Sequence, residues 1–164
     1  MKKWFSLIMV LFLLSSCEED VKFNNPAFQT LKDNVFWRAQ SYTAYTNSTG
    51  NLVIEGYLGF EKVILETASM SQQTFVLGQD DVSKASYSNT LSTEMEELFT
   101  TGTNIGSGQI IITDYDTENK TISGTFKFSA INSDKTNTEK TKINFSEGVF
   151  YKIPVSVSPN FITY

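Results

Sequence analysis

The chain has 164 residues, with 13 cationic against 18 acidic side chains, no histidine and one cysteine. Without an imidazole there is no Ser-His-Asp or Cys-His triad, a single thiol closes no internal disulfide, and structural zinc lacks its usual ligands. The acidic balance repels nucleic-acid phosphates, so neither a nucleic-acid partner nor any cofactor or metal is expected.

The first residues read as an address. Met1-Lys2-Lys3 is a cationic start, and residues 4–14 are a mostly apolar run of eleven, the layout of a secretory signal. A membrane-spanning helix needs about twenty apolar residues, and Glu18, Glu19 and Asp20 stand where hydrocarbon would continue. Leu14-Ser15-Ser16-Cys17 resembles a bacterial lipobox, in which small residues before the cysteine admit a lipoprotein signal peptidase. The resemblance implies removal of residues 1–16 and acylation of Cys17, making a membrane the partner. Each buried CH₂ contributes about 0.8 kcal/mol, so two or three chains hold durably where one is marginal. Removing Lys2 and Lys3 with the leader leaves 148 residues, 11 cationic against 18 acidic groups and a formal charge of −7. That length suits one domain.

Glu18-Glu19-Asp20 resembles the acidic export signal behind the lipidated cysteine of surface lipoproteins in Bacteroidota. It implies an outer-membrane lipoprotein displayed on the cell surface, and the alternative is a solvated linker on the periplasmic face. Residues 17–26 form the expected tether, and the nine residues 18–26 reach at most about 30 Å.

Beyond the tether, Thr, Ser, Asn, Gly and 13% aromatics describe a β protein. Residues 27–31 and 35–40 flank Lys32-Asp33-Asn34, a turn, and 42–46 prolong the second strand until the loop 47–51. Residues 52–58 and 62–67 read as a hairpin across Gly59-Phe60-Glu61. Weaker strands at 73–77 and 85–91 follow, with 78–81 as the loop between them. Residues 92–101 are ambiguous: Thr93-Glu94-Met95-Glu96 has the form of a capping box, while 98–101 favours a short strand, which we prefer.

Residues 109–115 and 121–130 are strands joined by a polar loop, 116–120. In the second, Ile122, Gly124, Phe126, Phe128 and Ala130 share one face, opposite Ser123, Thr125, Lys127 and Ser129. A one-residue slip would expose both phenylalanines, so the register is firm. After a loop at 132–140, residues 141–146 form a strand. Glu147-Gly148 turns or bulges the chain, residues 149–153 run back, Pro154 ends the strand, and 155–164 is a tail or an edge strand. The fold class expected is all-β, an antiparallel sandwich or partly open, lipocalin-like barrel of about eight to ten strands over residues 27–154.

The run Gly108 to Asp116, the segment Ile122-Ser123-Gly124-Thr125-Phe126-Lys127-Phe128-Ser129-Ala130 and Gly148-Val149-Phe150 resemble the C-terminal signature of a domain-of-unknown-function family of Bacteroidota lipoproteins. The aromatic-rich opening at 28–37 fits the same pattern. The resemblance implies an all-β domain with no assigned activity, and it transfers no catalytic residues.

Other sites stand on their own chemistry. Asp114, Asp116 and Glu118 alternate like the opening of a calcium loop, but Asn119 replaces the needed Gly and Thr125 the closing acid, so a hairpin loop is expected, as at Asp80-Asp81. Trp37, Tyr42, Tyr45 and Tyr57 are either core or a stacking platform for a glycan or peptide. Carboxylate-only chemistry is the enzymatic class left plausible, because glycoside hydrolysis can run on two acids without histidine, and no pair stands out. A non-catalytic binding or accessory module is therefore expected ahead of a structural or assembly lipoprotein, and both ahead of a carboxylate hydrolase.

Overall fold

Asp33 and Asn34 take left-handed backbone angles (φ 46° and 66°), tolerated by short polar side chains, and turn the chain between β1 (Ala27–Lys32) and β2 (Val35–Arg38). A computed structural model describes residues 27–91, 97–156 and the backbone of 162–163. Ten more strands follow: β3 (Ser41–Thr46), β4 (Leu52–Leu58), β5 (Glu61–Thr67), β6 (Thr74–Leu77), β7 (Lys84–Asn89), β8 (Glu97–Thr100), β9 (Ser107–Asp116), β10 (Thr121–Asn132), β11 (Lys142–Ser156) and β12 (Ile162–Thr163). No helix occurs among the described residues, so the fold is all-β as the composition requires. The leader, the lipobox with Cys17 and the acidic triplet lie outside the described residues, as does the capping-box stretch at 93–96.

The pairings return on themselves through β11, β3, β4, β5, β7, β8, β10 and β11 again. Closure is thin at two seams. At one, β8 meets β10 only at Thr100↔Ile131 and Phe99↔Asn132. At the other, β11 meets β3, in parallel, only at Val155↔Ala44 and Ser156↔Tyr45. The β1–β2 hairpin extends the sheet from β11, β9 and then β6 extend it from β10, and β12 adds to β3. The result is a twelve-stranded sheet in which seven strands close a thinly seamed, partly open barrel; residues 35–46 divide into β2 and β3, and β12 adds a strand from the tail. The weak strands at 73–77 and 85–91 both form, on different partners: β6 lines β9, while β7 lies between β5 and β8.

The end of the chain corrects two expectations. Of the turn or bulge expected at Glu147-Gly148 the bulge forms, but the chain does not run back there, and Pro154 does not end the strand; β11 runs through both. Between the rungs Phe128↔Phe145 and Phe126↔Gly148, β11 holds one residue more than β10, and Glu147 absorbs it with φ 52°. A second surplus residue, Lys152 (φ 48°), sits between Gly124↔Phe150 and Ile122↔Ile153. Bulges of this kind bend and coil a strand without stopping it, which brings β11 round to β3. Pro154 stands opposite Thr121 at the last rung of the β10–β11 ladder, where a missing N–H disturbs little, and the Val155 N–H bonds Lys120 O (2.8 Å).

The alternation in β10 sets the core. Ile122, Phe126, Phe128 and Ala130 are buried as the pattern requires. Ser123, on the polar face, is buried too, because its hydroxyl accepts the Lys152 N–H at the bulge (3.0 Å). A continuous aromatic series runs Trp37, Phe28, Phe126, Phe128, Phe145, Tyr87, Phe99, with successive ring centroids 4.5 to 6.1 Å apart. Such contacts add about 0.5–1.5 kcal/mol each beyond the area they bury. Gly56 is needed where Phe28 lies flat on β4: a Cβ there would meet the ring at 2.8 Å. Every described pairing and core side chain belongs to residues 27–163, so a chain starting at residue 22 retains all of them.

Candidate functional site

Strand periodicity sends Leu52, Ile54 and Gly56 of β4 inward and Val53, Glu55 and Tyr57 to the outer wall. Register then places Tyr45 of β3 opposite Val53, Lys62 and Ile64 of β5 opposite Tyr57 and Glu55, and Glu66 opposite Val53. On β7, Lys84 faces Glu66 and Ser86 faces Ile64, and Thr100 of β8 faces Ser86. Tyr45, Glu55, Glu66, Lys84, Ser86 and Thr100 line a groove of about 450 Å³ across four strands and the end of a fifth, floored by Val53, Ile64 and Leu98; Tyr57 and Lys62 stand beside it.

Two carboxylates organise the groove. Glu55 is only 6% exposed, because the side chains it binds also cover it. The Tyr57 hydroxyl donates to Glu55 Oε2 (2.8 Å), the Tyr45 hydroxyl donates to Oε1 (3.4 Å), and Lys62 Nζ lies 3.0 Å from Oε1. Glu66 Oε1 accepts from the amides of Asn47 and Asn51, both at 3.1 Å, and Lys84 Nζ is 3.6 Å from Oε2. Burial first, then the bond to Glu55, pushes the Tyr57 hydroxyl well above its usual pKa, and burial beside the Glu55 charge raises Tyr45. Both phenols are held protonated as donors.

Among the aromatic residues singled out in the sequence, the structure divides the set. Trp37 and Tyr42 are core residues, each 2% exposed, and the Trp37 indole N–H donates to Glu61 Oε2 (2.5 Å). Tyr45 and Tyr57, half-buried, meet on the outer wall. The core reading therefore holds for Trp37 and Tyr42, at the inward positions of β2 and β3, and Tyr45 and Tyr57 are sheet-surface residues. Little in the sequence points to Glu55, Glu66, Lys62 or Lys84. The available signal is a lone acid, Glu55, inside an apolar strand.

Asp116 and Asp80 serve their own loops, and Asp81 ties its loop to Thr103. Asp116 Oδ1 accepts the N–H groups of Glu118 and Asn119, and Oδ2 accepts the Asn119 amide (2.7 Å), which holds its pKa below the usual carboxylate range. Asp80 Oδ1 takes the N–H groups of Val82 and Ser83, while Asp81 takes the hydroxyl and N–H of Thr103 and is likewise lowered.

Fold and groove together define a partly open β-barrel whose wall, rather than its lumen, carries the polar site; the interior is filled by side chains. Residues 24–154 match the domain of unknown function DUF6252, and the chain belongs to that family. No curated protein and no solved structure matches it.

Proposed function

We propose that this chain is a lipid-anchored, non-catalytic binding module of a bacterial cell envelope, held by acyl chains on Cys17 and displayed on the outer surface. The ligand surface in this reading is the Glu55–Glu66 groove, and the ligand class is a glycan. The observation that carries it is the pairing of an apolar floor (Val53, Ile64, Leu98) with a rim of Tyr45, Asn47, Glu66, Lys84, Ser86 and Thr100. A sugar ring has the same division, with C–H faces that pack on apolar or aromatic surface and hydroxyls that bond carboxylates, amides and ammonium groups. Glu55 and Glu66 both direct their oxygens to neighbouring side chains, an arrangement that prepositions donors and leaves neither acid a free nucleophile. That favours binding over hydrolysis.

Two experiments test the reading. On a glycan array, the chain from residue 22 should bind a restricted set of glycans, and Tyr45→Ala and Lys84→Ala should each weaken that binding by tenfold or more. Retention of full binding by both variants removes the groove from the proposal. For the anchor, intact-mass measurement of the membrane-extracted protein should show acyl mass on Cys17, and Cys17→Ala should release the chain from the membrane fraction. An unmodified wild-type mass would end the anchored reading.

A further inference from the structure

A second surface, independent of the groove, lies at the barrel end where β1 turns into β2. Val35, Phe36, Phe60 and Leu91 are each 61 to 66% exposed, and all four line one slot of about 380 Å³. The slot sits beside the outer edge of β2, the terminal strand of the sheet, which no other strand pairs among the described residues. Lys32↔Val35 flank the two-residue turn, and Ala39 N–H bonds Phe28 O (2.9 Å). The hydrogen-bonded rungs of this hairpin are therefore 32/35, 30/37 and 28/39. It follows that the N–H and C=O groups of Phe36 and Arg38 point away from β1, to the open edge. Of the devices that blunt edge strands, Val35-Phe36-Trp37-Arg38 has no proline, lysine or bulge; its four-residue length and the charge of Arg38 are the restraints present.

We infer that this edge is a self-association surface, at which β2 pairs antiparallel with β2 of a second copy. The outward backbone groups permit the register that pairs both residues: Phe36 against Arg38 of the partner and Arg38 against Phe36, about a two-fold axis through Trp37. An isologous contact of this kind needs only one surface, used twice. Phe36 and Arg38 share the outer face of β2, so each phenylalanine ring meets the partner's guanidinium as a cross-strand cation–π pair. Arg38 is the only arginine in the chain, and its one side-chain bond is to the neighbouring Gln29, at 3.5 Å. A bilayer is a poorer occupant. The slot's own cation, Lys32, is paired with Glu61, and the mature chain is acidic overall. The strand is short and the apolar area small, so the dimer is weak and concentration-dependent.

Sedimentation equilibrium of the chain from residue 22 should show a mass rising from monomer towards dimer as concentration increases. The register makes a charge-specific demand. Phe36→Lys, facing arginine, should weaken association at least tenfold, while Phe36→Glu, facing the same arginine, should retain or tighten it. Both side chains sit in solvent in the monomer, and circular dichroism checks that the fold is kept. A monomer at every concentration overturns the inference. So does equal dissociation of both variants, which would indicate an unspecific apolar patch. Flotation of a monomeric wild type with zwitterionic phosphatidylcholine vesicles, lost in Phe36→Lys, would overturn it in favour of a lipid surface.

Discussion

Glu55 shows how one side chain can organise a surface. Its oxygens are shared among Tyr45, Tyr57 and Lys62, and removing it leaves three polar groups without their central partner. Glu55→Ala should therefore cost about 2 kcal/mol, read as a lowered urea midpoint, because stranding partly buried donors costs more than the net gain of each bond. Glu55→Gln, which keeps an acceptor but loses the charge facing Lys62, should cost less.

The tyrosines carry a pH signature at the same scale. Tyr45, Tyr57 and Tyr87 all have pKa values raised above 10, chiefly by burial, with Glu55 or Glu61 adding to the shift. In the unfolded chain these phenols ionise near 10, while in the folded chain they still hold their protons. The unfolded state thus binds fewer protons above that point. The stability these groups contribute is fully present below pH 10 and is lost as pH rises beyond it. Ultraviolet titration of tyrosinate should show Tyr45, Tyr57 and Tyr87 ionising late, and together, when the alkaline protein unfolds.

At the scale of the element, β11 is the informative case. Its two left-handed residues, Glu147 and Lys152, coincide with the two places where β10 and β11 fall out of step. A side chain in that conformation costs about 1–2 kcal/mol, whereas glycine takes it freely. Glu147→Gly should stabilise the domain by up to about 1 kcal/mol, once the greater freedom of the unfolded glycine is subtracted, and chemical denaturation would measure it. Destabilisation by this change would show that the bulge is held by the Glu147 side chain and not by sheet geometry. The adjacent Gly148 is where a side chain does not fit: its missing Cβ leaves room for the Phe126 ring, at 2.6 Å. Reading the pair from sequence puts the left-handed angle on the glycine, but the geometry assigns it to the neighbour, because packing decided which residue had to be small.

For the whole molecule, closure depends on the end of β11. Val155 and Ser156 supply the parallel rungs to β3, and β12 pairs with the start of β3. A chain ending at Ile153 would lose that seam and leave β3 with one partner. Its thermal midpoint should fall by several degrees and its unfolding should lose cooperativity in calorimetry. An unchanged midpoint would mean that the core alone holds the barrel closed.

Much of this was legible in the residues themselves. Asp33-Asn34, Gly59-Phe60 and 116–120 are turns by local chemistry, and the alternation in β10 names its buried face, because burial of one face of a pleated strand imposes a period of two. The all-β class follows from the same facts. What the chain order conceals is which strands become neighbours. Tyr45, Glu55, Glu66 and Lys84 lie up to 39 positions apart and meet only through the registers of β3, β4, β5 and β7. The open edge of β2 likewise follows from pairings, since among the described residues no later strand reaches it. Local propensity is a property of a few adjacent residues, whereas a groove on a sheet, or a free edge, is a property of pairings between distant segments, and these are decided when the barrel closes.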